Sequence, residues 1–188
     1  MMGWLGFASR HDDRASPRMQ IPLFPLNAVL FPGGVLPLRI FEQRYLDMAA
    51  ACMKEERPFG VCLIVAGEEA GGVAEPHPVG TLARITDWEM EQLGLLQVTT
   101  RGEQRFRIVD TTVGQNNLLQ AEVEIIPNDG PLPFPVERQR LLPLLRRIAG
   151  DMGPARIPEP HHYDDAEWVG YRITEILPVQ NLAKQKLL

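Results

Sequence analysis

The residues of this 188-residue chain that could do chemistry do not assemble into a catalytic motif. Its two serines, Ser9 and Ser16, lie in a charge-rich N-terminal stretch, whereas a nucleophilic serine needs a rigid element with its base within reach. No GxxxxGK sequence followed by Ser or Thr is present, so a phosphate-binding loop of the Walker type is not supported. The sequence therefore predicts a protein that is not an enzyme and has no catalytic residues.

The segment 161–165, HHYDD, is the arrangement closest to a metal site. Adjacent histidines cannot both face one ion from a regular helix, and prolines precede them. A solvated loop before a helix, with Asp164 as the N-cap, is the favoured interpretation. Cys52 and Cys62 stand in apolar surroundings and predict buried free thiols. We expect no metal and no cofactor.

Two groups of polar and aromatic side chains are candidates for a recognition surface. One is a set of arginines around a predicted hairpin, which either forms a basic patch or discourages edge-to-edge strand pairing. The other lies where a strand gives way to a helix, and there Arg39 could instead pair with a carboxylate and stabilise the fold. The candidate surface comprises Arg39, Phe41, Glu42, Arg44, Tyr45, Arg101 and Arg105.

The stretch 21–45, IPLFPLNAVLFPGGVLPLRIFEQRY, must position the second group. Pro22 and Pro25 lack an N–H and predict an edge strand. A tight turn is predicted at 32–34, PGG, followed by a strand over 35–41 with one buried face. A helix is predicted over 43–56, with Tyr45, Met48, Ala49 and Cys52 on its apolar stripe.

The rest of the chain predicts more strands and then helices. A continuous apolar run at 59–66 predicts a central strand, a loop is expected at 67–78, and alternation predicts strands over 79–85, 95–100, 105–109 and 119–126. Between them we expect a polar segment at 87–92 and a hairpin turn at 101–104 around Gly102. Helices are expected over 136–149, with a kink or break at Pro143, and over 165–177. The predicted organisation is a flexible leader (1–18, with Met19 as an alternative start), a β-rich barrel (19–127), and a linker with a helical subdomain (128–188).

These residues resemble the N-terminal, substrate-recognition domain of Lon-type ATP-dependent proteases. The resemblance rests on PLFPLN, VLFPGG and LPLRIFEQRY, then on FGV at 59–61, VGTLA at 79–83 and the segment 171–188. It implies an α+β fold, a β-rich PUA-like pseudobarrel with an inserted helix followed by a small helical subdomain. The family pattern continues into a long helix where this sequence stops at Leu188, so we expect a stand-alone LON-domain protein without ATPase or peptidase parts.

The same resemblance implies a non-catalytic module that binds unfolded or hydrophobic polypeptide segments. A protease or chaperone acting in trans is an open alternative for a partner, and self-association is also left open. The competing hypothesis is an RNA- or small-molecule-binding module on the same barrel. A net charge of −5 argues against nucleic acid. No apolar run approaches a membrane span, and we expect a cytoplasmic protein.

Overall fold

A computed structural model describes residues 18–69, 71–114, 116–128 and 130–188. The fold is α+β, as predicted. Its strands are β1 (Arg18–Leu26), β2 (Val35–Ile40), β3 (Phe59–Ala66), β4 (Glu75–Gln92), β5 (Leu95–Val113) and β6 (Leu119–Ile125). Its helices are α1 (Gln43–Lys54), a 3₁₀ helix (Val136–Leu141), α2 (Leu142–Met152), α3 (Ala166–Ile176) and α4 (Asn181–Gln185). The predicted leader lies outside the described residues, except for Arg18, with which β1 begins.

Five strands close into a barrel that we call the closed half. The sheet order is β2-β5-β4-β3-β1-β6, and the second part of β5 pairs with β6 to complete the ring. Phe106 is fully buried inside it, and a Cβ on either Gly60 or Gly80 would lie 2.7 Å from its ring. The buried core of this half consists of Ile21, Leu23, Cys62, Leu82, Phe106, Leu119, Ala121 and Val123.

The other ends of the long strands form what we call the open half. Here the first part of β5 pairs with β2, which is the last strand of the sheet. Helix α1 covers this half with its apolar stripe, and all four predicted stripe residues are buried. The buried core of the open half consists of Phe24, Leu26, Leu30, Ile40, Tyr45, Met48, Ala49, Cys52, Phe59, Val61, Ala83, Leu96, Val98 and Leu118.

The prediction that β1 is an edge strand is wrong, because β1 lies between β3 and β6. The strand changes partner along its length: residues 18–22 pair with β6 and residues 23–26 pair with β3. Pro22 and Pro25 therefore each lie in a part of β1 that has one strand neighbour. A proline is tolerated in such a place because no ladder on the second side needs its missing N–H.

The hairpin predicted at 101–104 is also wrong, because β5 continues through these residues and the turn lies at Leu93-Gly94. Gly94 has φ +84°, which a glycine adopts without strain. Gly102 is instead the point where the turn before β2 crosses β5: its N–H donates to the Gly34 carbonyl (2.8 Å), and its own carbonyl accepts from Gly33 N–H (2.8 Å). A Cβ at Gly102 would overlap the carbonyl oxygen of Phe31.

The loop predicted at 67–78 is shorter than expected, because β4 begins at Glu75. Pro76 of β4 pairs with Ile64 of β3, and the register shifts on both sides of this pair. Such irregularities allow a segment that contains proline to be part of β4. The break predicted at Pro143 is confirmed: the 3₁₀ helix ends at Leu141, and Pro143 lies in the first turn of α2. Helix α3 is capped by Asp165, which accepts from Glu167 N–H (3.1 Å), and not by Asp164 as predicted.

Among the described residues, no helix is both long enough and apolar enough to cross a membrane.

Candidate functional site

A hollow of about 210 Å³, which we call the seam groove, lies in the open half between β1 and β2. The stacked rings of Phe24 and Tyr45, with centroids 4.0 Å apart, contribute to its wall. Phe41 follows β2 and precedes α1, and its side chain is 63% exposed at the groove. The groove is lined by Phe24, Leu26, Pro37, Leu38, Arg39, Ile40, Phe41, Glu42, Tyr45 and Glu69.

The outer edge of β2 carries backbone groups that none of the strands in the described residues pairs. The Leu36 carbonyl accepts from Thr100 Oγ1 (2.8 Å), so it points toward β5. Because backbone groups alternate in direction along a strand, those of Val35, Pro37 and Arg39 point to the other side. At the groove, this edge therefore presents the carbonyls of Pro37 and Arg39 and the N–H of Arg39.

Arg44, a member of the candidate surface, is buried and supports the groove from behind. Its Nη1 donates to the carbonyls of Gly72 (2.8 Å) and Asn117 (3.0 Å), and its Nη2 lies 3.0 Å from Glu42 Oε2. Its guanidinium lies 4.6 Å from the Tyr45 ring centroid. Burial raises the pKa of the Tyr45 hydroxyl, which Arg44 partly counteracts, so this hydroxyl stays neutral. Arg44 thus positions Glu42 and Tyr45, and does not itself face a ligand.

The structure separates the two groups of the candidate surface. The seam groove is lined by Arg39, Phe41, Glu42 and Tyr45. Arg105 instead points to residues 136–188, which contain the 3₁₀ helix and α2 to α4 and which we call the helical segment. There its Nη1 donates to the Leu188 carbonyl (2.7 Å), and its Nη2 lies 3.6 Å from Glu167. Arg101 is half-buried on β5. The arginines of β5 therefore do not form one exposed basic patch.

Sequence reasoning missed the role of Arg172, a fully buried arginine on α3. Its Nη2 donates to the Pro32 carbonyl (2.9 Å) and to Glu175 Oε1 (2.9 Å). This joins α3 to the Pro32–Gly34 turn, which in turn crosses β5 at Gly102. Burial raises the pKa of Glu175 to about 7, although the Arg172 charge acts to lower it. The sequence contains the i, i+3 spacing of Arg172 and Glu175 and the PGG turn. No sequence pattern links the two, because they lie 140 residues apart in the chain.

His161 takes part in an aromatic cluster beside α3. Its Nε2 lies 3.1 Å from the Ile157 carbonyl, and its Nδ1 lies 3.2 Å from the Tyr163 hydroxyl. The Trp168 ring packs against both His161 and Tyr163. In the part of the chain that the structure describes, no three His, Cys, Asp or Glu side chains are grouped as metal ligands.

Comparison with known proteins identifies the family. The sequence model of the ATP-dependent protease La (LON) substrate-binding domain matches residues 20–188. The chain is 30% identical to the Lon protease of Anaeromyxobacter dehalogenans over 134 residues, which cover 70% of this chain and 16% of that protein. It is 27% identical to the protein cereblon of Xenopus tropicalis over 176 residues, covering 87% of this chain and 38% of that protein. The chain thus spans well under half the length of these curated relatives.

Solved structures agree with this assignment. The crystal structure of a Lon N-terminal domain protein from Xanthomonas campestris matches with a TM-score of 0.73 and 34% identity, over 89% of this chain and 88% of that one. The N-terminal domain of a Mycobacterium avium complex Lon protease matches in fold, with a TM-score of 0.58 and 17% identity, over 90% of this chain and 89% of that one. The chain belongs to the family of Lon substrate-binding domains.

Proposed function

We propose that this chain is a non-catalytic module that recognises polypeptide and holds an extended, apolar segment in the seam groove. The observation that carries this proposal is that one groove combines an apolar aromatic wall with an unpaired strand edge. Membership of a substrate-binding family supports it, and the matched region corresponds to the binding domain of Lon and not to its catalytic part.

Binding would proceed by strand addition along β2. Backbone groups of a client segment would pair with the N–H and carbonyl of Arg39, which supplies affinity without demanding a particular sequence. Apolar side chains of the client would pack on Phe41 and on the Phe24–Tyr45 pair. Such a site selects for chain segments whose apolar side chains are exposed. Unfolded proteins have such segments in common. A protease or chaperone acting in trans would be the consumer of the bound segment.

The test is a titration of a fluorescein-labelled, permanently unfolded protein with this chain at low salt, followed by fluorescence anisotropy. We expect saturable binding that Phe41→Asp weakens by roughly ten-fold or more, as for an exposed aromatic anchor. Val136→Asp is the matched control, because Val136 is also highly exposed but lies on the 3₁₀ helix outside the groove. No association at high micromolar concentration would contradict the function, and equal binding by Phe41→Asp would contradict the site.

A second variant, Arg39→Pro, examines the backbone part of the proposal. It removes the N–H that points away from β5, so the pairing of β2 with β5 should survive, as it does beside Pro37. We expect weaker client binding with an unchanged circular dichroism spectrum. The variant Arg39→Ala keeps the N–H and should bind like the natural sequence. Equal binding by both variants would rule out strand addition.

A further inference from the structure

The hydroxyl of Tyr45 is a polar group at the wall of the seam groove. Tyr45 is only 6% exposed, and its ring is stacked on Phe24. Within the described residues this hydroxyl has no hydrogen-bond partner, and its oxygen is not one of the atoms that are wholly shut off from solvent. A buried ring whose hydroxyl still reaches an open hollow offers one donor and one acceptor to a molecule in that hollow.

Neighbouring charges locate the hydroxyl at the groove end of the Tyr45 ring. Burial is the main cause that raises the pKa of this hydroxyl, and the charges of Glu42 and Glu69 raise it further, against that of Arg44. Both carboxylates line the groove, and such charge effects weaken with distance. Each carboxylate has another partner: Glu42 pairs with Arg44, and Glu69 accepts from the Asn27 N–H. The Tyr45 hydroxyl therefore stays available to a ligand.

The hollow beside Tyr45 has room for one large side chain. Its volume of about 210 Å³ equals that of about seven water molecules, at about 30 Å³ each in the liquid. Apolar side chains of both strands line it, namely Leu26, Leu38 and Ile40, together with Phe24. A side chain with an apolar body and one polar tip matches this combination, because its body packs on the wall while its tip reaches the hydroxyl.

The charges around the hollow favour a tip that is neutral. Two carboxylates, Glu42 and Glu69, are balanced by two guanidinium groups, of Arg39 at the groove and of Arg44 behind it. A charged anchor such as lysine would unbalance this set and would lose hydration against the apolar wall, which is costly. A neutral O–H or N–H loses far less on entry and can bond the Tyr45 oxygen.

We infer that Tyr45 is a specificity-determining residue, through which the seam groove selects client segments that carry a tyrosine or tryptophan anchor. The anchor ring would pack on Leu26 and Leu38, and its O–H or N–H would donate to Tyr45 Oη. A phenylalanine anchor would displace the water from the Tyr45 hydroxyl without replacing its hydrogen bond, which lowers affinity. Because the client is taken to lie in the seam groove, this selectivity rests on the proposed function.

The test is an anisotropy titration with fluorescein-labelled peptides that differ only in one central residue. The host sequence is short, extended and uncharged, and the central residue is tyrosine, tryptophan, phenylalanine, alanine or lysine. We expect the tyrosine and tryptophan peptides to bind about three- to ten-fold more tightly than the phenylalanine peptide, as for one net hydrogen bond. The alanine peptide should bind at least about ten-fold more weakly than the phenylalanine peptide, and the lysine peptide no more tightly than alanine.

The variant Tyr45→Phe separates the hydrogen bond from the shape of the hollow. It removes one oxygen and keeps the ring that stacks on Phe24, so the tyrosine peptide should lose its advantage while the phenylalanine peptide binds as before. Tyr163→Phe is the matched control, because the Tyr163 hydroxyl lies 3.2 Å from His161 Nδ1, outside the groove, and the preference for tyrosine should remain. Circular dichroism would verify that both variants fold.

Two results would overturn the selectivity and leave the proposed function intact. One is equal binding of the tyrosine and phenylalanine peptides to the natural sequence, and the other is a preference for tyrosine that persists in Tyr45→Phe. Both would show a groove that holds polypeptide without using the Tyr45 hydroxyl. Absence of binding by every peptide and by the unfolded protein at high micromolar concentration would instead contradict the function and the selectivity together.

Discussion

The closed and open halves of the sheet are built from the same long strands but differ in their edges. In the closed half, β1, β3, β4, β5 and β6 form a ring in which each strand pairs with two others, although β1 uses a different part of its length for each partner. In the open half, β2 is the last strand of the sheet, and helix α1 covers the core with its apolar stripe. A ring removes pairing sites, whereas an open sheet retains them. The difference predicts that the closed half resists local opening more than the open half, and it leaves the open half with the strand edge on which the proposed recognition depends.

The two halves meet where the Pro32–Gly34 turn crosses β5 at Gly102. Arg172 of α3 holds this turn from outside the barrel. The helical segment therefore stabilises the junction between the halves, although it contributes no residue to the seam groove. Three experiments test this difference between the closed and open halves, and they follow in order of decreasing expected effect.

Breaking the junction should have the largest effect. Arg172→Met leaves Glu175 and the Pro32 carbonyl without their donor, and losing one partner of a buried pair costs about 3–5 kcal/mol. Urea unfolding followed by circular dichroism would measure this loss. The double variant Arg172→Met/Glu175→Leu should recover much of it, because no uncompensated carboxylate remains. A loss below about 1 kcal/mol in the single variant would show that the pair is not needed.

Overpacking the closed half should have the next largest effect. A Cβ on Gly80 would lie 2.5 Å from the Val61 carbonyl and 2.6 Å from Cys62 Sγ, so Gly80→Val must displace backbone. Such overpacking typically costs about 1–3 kcal/mol. Gly72→Val is the matched control, since a Cβ there meets nothing within 4 Å. If both variants unfold at the same urea concentration, the closed half is not the tightly packed part.

The two cysteines report on one half each, and we expect a smaller difference between them. Cys62 lies in the buried core of the closed half, and Cys52 lies in the buried core of the open half. Burial raises the pKa of both thiols, so both should react slowly with iodoacetamide. Local opening of α1 should expose Cys52 about ten-fold faster than Cys62, as judged by mass spectrometry of peptides. Faster labelling of Cys62 would reverse the assignment of stability to the halves.

Local patterns in the sequence predicted where helices, strands and turns lie better than they predicted which strands pair with each other. The stripe of α1 and the PGG turn depend on neighbouring residues, and the structure contains both. The partner exchange of β1 and the continuity of β5 through Gly102 depend on residues distant in the chain, which alternation does not identify. The segment 87–92 was expected to be merely polar, yet Trp88 and Met90 alternate with acids there, and this period of two was the signal for a two-sided strand.

The seven residues of the candidate recognition surface remain a prediction, and the structure brings four of them to one groove. The strand-to-helix junction placed Arg39, Phe41, Glu42 and Tyr45 at one groove, because they are close in sequence. Arg44 is buried although its neighbours line the groove, because a helix directs successive side chains about 100° apart, so a neighbour of groove residues can point into the protein. Arg105 lies away from the seam groove because its partner Glu167 is supplied by the helical segment, far along the chain.

Pro37 has a consequence for the behaviour of the protein at high concentration. An unpaired strand edge, such as the outer edge of β2, is a template on which identical molecules can polymerise into fibrils. Pro37 lies in the middle of β2 and has no backbone N–H. A continuous ladder of hydrogen bonds with a second copy of the protein would therefore be interrupted at this residue. Another strand can therefore form regular hydrogen bonds with this edge only over a short length on either side of Pro37.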